Sequence, residues 1–276
     1  MNPLEYWKPE TFEISSFRFK LDERKEKIYR TSGSDNTGLC VYTYNELGFR
    51  GDSIKKEGFK VMSLGCSNTE GVAVNDNETW PARFTSLIPN GVDFNFGTGG
   101  RSNDFIVRCL LTYYDLIKPD LVFIMYTSPH RREIYTKDGG VEPFMATHQW
   151  GYLRETDDGV KTQEYLAYLQ NDNEDFINWY KNHLLIKYFL ESKKCSWLWN
   201  GSLGIPMDYN EFNRFDGDYS NRFDGDYGKY IDFGVDNGHP GPKHNKEYAT
   251  KLFNHIYKNF NEYLPSGVIS LQSKII

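Results

Sequence analysis

Lys60–Phe84 reads KVMSLGCSNTEGVAVNDNETWPARF. Its first five residues form a short apolar run of the kind that makes a buried strand, and Gly65 ends it. Ser67 then stands two positions after the glycine, at an expected strand-to-helix turn, where a hydroxyl is held out from the sheet. Runs of the same character recur at Asp93–Phe96 (DFNF), Leu121–Thr127 (LVFIMYT) and Ser196–Asn200 (SWLWN). Helical periodicity fills the intervals. Asp104–Lys118 is closed by Pro119, and Glu174–Lys194 is expected to present Phe176, Ile177, Tyr180, Leu184, Leu185, Tyr188 and Phe189 on one broad face. Lys243–Phe260 repeats the pattern with Tyr248, Ala249, Leu252, Phe253 and Ile256. Strands alternating with helices imply βαβ crossovers, hence a mostly parallel sheet covered on both faces. Ligands meet such sheets at the carboxyl ends of the strands, so residues just after Leu64, Phe96 and Thr127 are expected on one rim.

Two regions lie outside this alternation. Residues 1–55 are expected to form an N-terminal arm packed on the main domain. The polar stretch 135–173, with its KDGG and ETDDG turns, reads as an insertion of loops and short helices over the strand ends. The main domain is then expected over 56–265, with a tail at 266–276. A tandem NRFDGDY, at Asn213–Tyr219 and Asn221–Tyr227, is too short to be an architectural repeat. Its Asp216, Asp218, Asp224 and Asp226 are oxygen ligands of the type Ca²⁺ uses, but the spacing is not that of an EF-hand loop, and a duplicated surface loop is the reading preferred.

The chain has 276 residues, 39% of them hydrophobic, enough for one large α/β core. A formal net charge of -6 argues against a general phosphate-binding surface, so nucleic acid is not an expected partner. No run approaches the length of a membrane span, and MNPLEYWKPETF has neither a basic nor an apolar leader segment; a cytoplasmic protein is expected. Cys40, Cys66, Cys109 and Cys195 lie far apart with no C-x-x-C spacing, which suggests neither a disulfide framework nor a zinc site. No cofactor or metal is implied.

The Asp/His pair best suited to activating Ser67 is DNGHPG, where Asp236 and His239 lie three apart on a turn before the last helix. That spacing lets a carboxylate stand beside an imidazole and orient it while leaving the other ring nitrogen to act as a base. With this pair in place, the order GFRGD, LGCSNTEG with ETWP, NFGTGG and DNGHPG resembles that of the SGNH (GDSL-like) hydrolases, over about residues 45–256. The resemblance implies a flavodoxin-like three-layer α/β/α domain and serine-based ester hydrolysis. It implies Ser67 as nucleophile, Asp236 and His239 as the other triad members, and the N–H groups of Ser67 and Gly100 as oxyanion donors. The order Ser, Asp, His is shared with α/β-hydrolases, but their G-x-S-x-G elbow is absent.

Two departures fall in the catalytic blocks. Cys66 replaces the aspartate of G-D-S. Where the family carries G-x-N-D after the central strand, this chain reads YTSPHRRE, so the asparagine donor is missing and Ser128 or Thr127 is left as the candidate hydroxyl, with Arg131 and Arg132 nearby. Ser102 in GGRSND reads as a helix cap, and His130, His148, His183, His244 and His255 as surface or packing residues. The resulting expectation is an esterase or deacylase acting on a small-molecule or glycan ester, with acetyl groups on carbohydrate preferred by analogy. Trp80, Trp150, Trp197 and Trp199 are compatible with sugar stacking. A lipase or thioesterase acting on longer acyl chains, an acyltransferase-like relative and a non-catalytic binding module are the alternatives.

Overall fold

A computed structural model of the chain describes residues 26–30, 39–135, 141–145, 172–201, 221–223, 227, 229–266 and 268. In chain order the elements are β1 (Glu26–Arg30), β2 (Leu39–Thr43), β3 (Arg50–Gly51), β4 (Phe59–Gly65), α1 (Ser67–Glu70), α2 (Trp80–Thr85), β5 (Gly91–Gly97), α3 (Asn103–Ile117) and β6 (Leu121–Tyr126). They continue with β7 (Arg131–Tyr135), β8 (Val141–Met145), α4 (Asp172–Ser192), β9 (Ser196–Gly201) and α5 (Pro242–Asn259). The central sheet has the order β3-β5-β4-β6-β9. All its neighbours pair in parallel except β3, which runs antiparallel to β5 at the edge.

Alternation along each central strand explains the layering. Met62, Leu64, Val92, Phe94, Phe96, Val122, Ile124 and Tyr126 face one way and pack with α3 and α4, while Val61, Leu121, Phe123 and Met125 face the other way and pack with α2 and α5. Both faces of the sheet are thus buried, which is why the strands read as continuous apolar runs rather than as an alternation of apolar and polar residues. The outcome is the three-layer α/β/α arrangement with a mostly parallel sheet that the periodicity predicts.

The structure corrects three details. In α4 the buried residues are Asp175, Trp179, Asn182, His183, Ile186 and Leu190, whereas Ile177, Leu185 and Tyr188 are exposed. Of the expected face, Phe176, Tyr180 and Phe189 do pack against the core, but apolar residues occur all round this helix, and the sheet selects the face centred on Trp179, which is stacked on His183 and packed against Tyr126 and Trp199. Trp80, Trp197 and Trp199 are all core residues, at 0%, 4% and 1% exposure, so none of them is an open platform for a sugar. Trp150 lies outside the described residues. The second NRFDGDY copy is more than a surface loop: Phe223 and Tyr227 are buried in the core, and the Trp199 N–H donates to the Asn221 carbonyl while the Trp199 carbonyl accepts the Phe223 N–H. The first copy and all four of the repeat's aspartates lie outside the described residues.

Two hairpins and one further strand carried no clear signal in the sequence. β1 pairs antiparallel with β2, and β7 with β8. The further strand is β3, whose two residues lie in the stretch expected as an arm. Among the described residues all four cysteines are free, and no helix is long and apolar enough to cross a membrane.

Candidate active site

The carboxyl ends of β4, β5 and β6 come together at one rim because the three strands are parallel and in register: Gly65 is opposite Gly97, and Leu64 is opposite Ile124. Beyond Gly65 the chain turns at once into α1. A Cβ on Gly65 would lie 2.1 Å from Thr69 Oγ1, so a side chain at this position would collide with the helix it starts. Gly97 allows a similar approach across the rim, since a Cβ there would meet the Glu70 backbone nitrogen at 2.1 Å. Gly71 closes α1 in the left-handed conformation, with φ 78°.

Ser67 is the first residue of α1 and is half-buried. Its Oγ lies 4.0 Å from Cys66 Sγ, a weak contact, and among the described residues it makes no hydrogen bond to His239. Cys66, at the N-cap position, supplies no side-chain cap, while its carbonyl accepts the Thr69 and Glu70 N–H groups. The first amides of the helix are therefore not satisfied by a cap. Gly100, with φ 73°, is on the facing loop. Among the described residues neither the Ser67 nor the Gly100 N–H donates to a protein acceptor.

Asp236 and His239 are joined side chain to side chain, with His239 Nδ1 2.5 Å from Asp236 Oδ2. Asp236 Oδ1 also accepts the backbone N–H groups of Gly238 and His239, each at 3.0 Å. Burial works against the charged carboxylate, but the ring and the two backbone donors outweigh it and hold Asp236 down at about 2. The loop that carries the pair is anchored to the turn after α1: Val235 N–H donates to the Ala73 carbonyl, and Gly234 lies against Ala73. The neighbourhood of His239 includes Glu70, whose carboxyl is raised by burial and lowered by Arg50, by the Gly99 N–H and by His239.

After β6, Thr127 is buried and Ser128 half-buried. Both backbone groups of Thr127 are held by the Asn103 side chain, at 3.0 and 3.1 Å. The asparagine of this rim therefore comes from the start of α3 and is used up in clamping the backbone. Thr127 Oγ1 is buried without a hydrogen-bond partner, which makes it a better hydroxyl candidate than Ser128. Ser102 caps α3, accepting the Phe105 N–H at 3.3 Å, as its position predicts. His130 is bound through Nδ1 to Asp175 at 2.5 Å, and Arg132 binds the other oxygen of the same carboxylate at 2.6 Å, a clip between the rim and α4.

Sequence reasoning missed two residues that organise the site. Arg50 is 2% exposed and donates to the carbonyls of Glu70, Gly71 and Val74 at 3.0, 2.7 and 3.1 Å, while pairing with Asp76 at 2.7 Å. It satisfies the carbonyl end of the short helix that begins with Ser67. Asn95 on β5 donates to Thr69 O at 2.8 Å and accepts the Gly97 N–H at 2.9 Å, tying α1 to the glycine loop. The only signal in the sequence was the position of Arg50 within GFRGD. Among the described residues, no group of His, Cys, Asp or Glu is arranged to hold a metal ion.

No family model matches the chain, and no curated protein matches it. Among solved structures, it is similar to a lipolytic protein of the G-D-S-L family from Desulfitobacterium hafniense DCB-2, with 14% identity, covering 71% of this chain and 98% of that one, at a TM-score of 0.32. It is also similar to a carbohydrate acetylesterase family member from Sinorhizobium meliloti (11% identity, 73% and 99% covered, TM-score 0.33). A third likeness is to a protein named as an acylhydrolase from Bacteroides fragilis NCTC 9343 (16% identity, 75% and 88% covered, TM-score 0.31).

Proposed function

We propose that this chain is a serine hydrolase of ester bonds, with Ser67 as nucleophile, His239 as base and Asp236 as the group that orients the base. The observation that carries the proposal is the hydrogen bond between Asp236 and His239 Nδ1. A partly exposed imidazole tethered through Nδ1 to a carboxylate of depressed pKa keeps that nitrogen protonated and leaves Nε2 as the basic site. In the reaction, rotation of the Ser67 side chain away from Cys66 brings Oγ toward Nε2. His239 takes the hydroxyl proton as Oγ bonds to the acyl carbon, and the carbonyl π electrons move onto oxygen. Collapse of the tetrahedral species breaks the bond to the alcohol, which leaves with the proton from His239. Water repeats the sequence on the acyl-serine and releases the acid.

The developing oxyanion would be held by the Ser67 and Gly100 N–H groups, with Thr127 Oγ1 as a third donor. Loss of one such donor typically costs about 10² to 10³ in rate, so a hole with an altered third donor remains compatible with turnover. Acetyl esters of carbohydrates are the proposed substrates to be tried first, and longer acyl chains are the alternative within the same chemistry. A non-catalytic binding module is the reading favoured by the absence of a hydrogen bond between Ser67 and His239. Labelling with a fluorophosphonate, read by mass spectrometry, separates the two: a hydrolase is modified at Ser67 and loses the label in Ser67→Ala, whereas a binding module leaves Ser67 unmodified. Chromogenic esters of increasing chain length then report the acyl preference.

A further inference from the structure

Glu70 lies three residues after Ser67, at the other end of the same helical turn, so both side chains leave α1 on one face. Its Oε2 accepts the backbone N–H of Gly99 at 2.6 Å, a short contact across the rim. Gly99 itself packs on the nucleophile: a Cβ there would be 3.7 Å from Ser67 Cβ and 3.1 Å from Glu70 Oε2. The next residue, Gly100, has φ 73°, a conformation that only an outside restraint keeps in a single orientation in a residue as free as glycine. Thr98 N–H donates to the Gly65 carbonyl and Arg101 N–H to the Thr98 carbonyl, so the loop is pinned on either side of the Gly99–Gly100 peptide. Glu70 pins the middle.

We infer that Glu70 is a positioning residue for the oxyanion loop: its carboxylate holds the Gly99 N–H against the Ser67 helix and so aims the adjacent Gly100 N–H at the acyl oxygen. The inference rests on the hydrolase reading. It adds a residue to which the triad logic gives no role. The Glu70 carbonyl is held by Arg50 and its carboxylate by Gly99, so one residue links the capped end of α1 to the facing loop. Preorganised donors stabilise the transition state only if they point at the oxyanion before reaction, and a glycine loop free to turn would lose that advantage without losing substrate affinity.

The test is steady-state kinetics on p-nitrophenyl acetate with wild type, Glu70→Ala, Glu70→Asp and Glu70→Gln, alongside fluorophosphonate labelling and thermal melts. Glu70→Ala, and Glu70→Asp with its shorter reach, are expected to lower kcat about tenfold to a hundredfold with KM within about twofold of wild type. Glu70→Gln keeps an oxygen that accepts the Gly99 N–H and is expected to recover most of the loss. If the alanine variant does not fold, the aspartate and glutamine pair still decides. Unchanged kcat in the alanine or aspartate variant, an effect on KM alone, or no recovery with glutamine would overturn the positioning role while leaving the hydrolase reading intact. A wild type that neither hydrolyses the ester nor takes the label would overturn both.

Discussion

Asp236 and His239 are bonded twice over: the ring Nδ1 lies 2.5 Å from one carboxylate oxygen, and the backbone N–H of the same histidine lies 3.0 Å from the other. The aspartate thus fixes both the orientation of the imidazole and the backbone turn that presents it. Three residues of separation are enough for this because the turn folds on its own carboxylate, with the Gly238 N–H as a further donor.

Replacing Asp236 by asparagine should therefore affect catalysis more than folding. An amide oxygen still accepts backbone donors, but the ring loses its anionic partner and its tautomer is no longer held. We expect kcat to fall by about 10³ to 10⁴, a far larger effect than the loss of melting temperature that accompanies it. Steady-state turnover of a chromogenic ester measures it. A fall of less than about tenfold would remove Asp236 from the triad.

The same carboxylate makes a prediction at acid pH. Its folded value of about 2 lies below its ordinary value of 3.8, so its contribution to stability is fully present above about pH 4 and is lost as pH falls through 2. The melting-temperature difference between wild type and Asp236→Asn is expected to shrink over that window and to stay constant above it.

For the third oxyanion donor, Thr127 and Ser128 are distinguished by burial. Thr127→Val keeps the shape and removes the unpartnered hydroxyl, and it should lower kcat by about 10² with KM nearly unchanged. Ser128→Ala should leave both constants near wild type. Equal rates in the two variants would mean that only backbone donors hold the oxyanion.

Arg50 supports stability through α1. Its guanidinium is buried and meets three carbonyls and Asp76, so Arg50→Ala removes all of these contacts at once and leaves Glu70 O and Gly71 O with only one long donor each, from Asn95 and Val74. A loss of roughly 3 to 5 kcal/mol is expected from urea unfolding. A loss below about 1 kcal/mol would show that the carbonyls find water instead.

Asp93, buried on β5 beside Asp52, provides a second pH signature. Burial first, and then the Asp52 charge, push it up to about 8 from an ordinary 3.8. Because the folded value is raised, the stability associated with its protonated form is fully present below about pH 4 and is lost as pH rises through 8. Asp93→Asn, neutral at every pH, should gain in melting temperature relative to wild type across that interval. A difference that does not vary with pH would refute the raised value.

The four central strands, the three long helices and the order of the rim loops were readable because each is a local pattern. An apolar run of four to seven residues makes a buried strand, a period near 3.6 makes a helix, and a spacing of three positions from Asp236 to His239 makes a turn in which the two meet. None of these needs information from elsewhere in the chain. The face chosen by α4, the burial of Trp80, Trp197 and Trp199, the pairing of β3 with β5, and the bonds from Arg50 and Glu70 to the ends of the site were not readable. These depend on which strands lie side by side and on where a side chain from one element lands on another, relationships set by sheet order and close packing between residues far apart in sequence. The sequence by itself determined the layers and named Ser67, Asp236 and His239 as candidates. Tertiary packing alone decided that Glu70 faces Gly99, because a hydrogen bond between residues 29 positions apart exists only once β4 and β5 are paired in register.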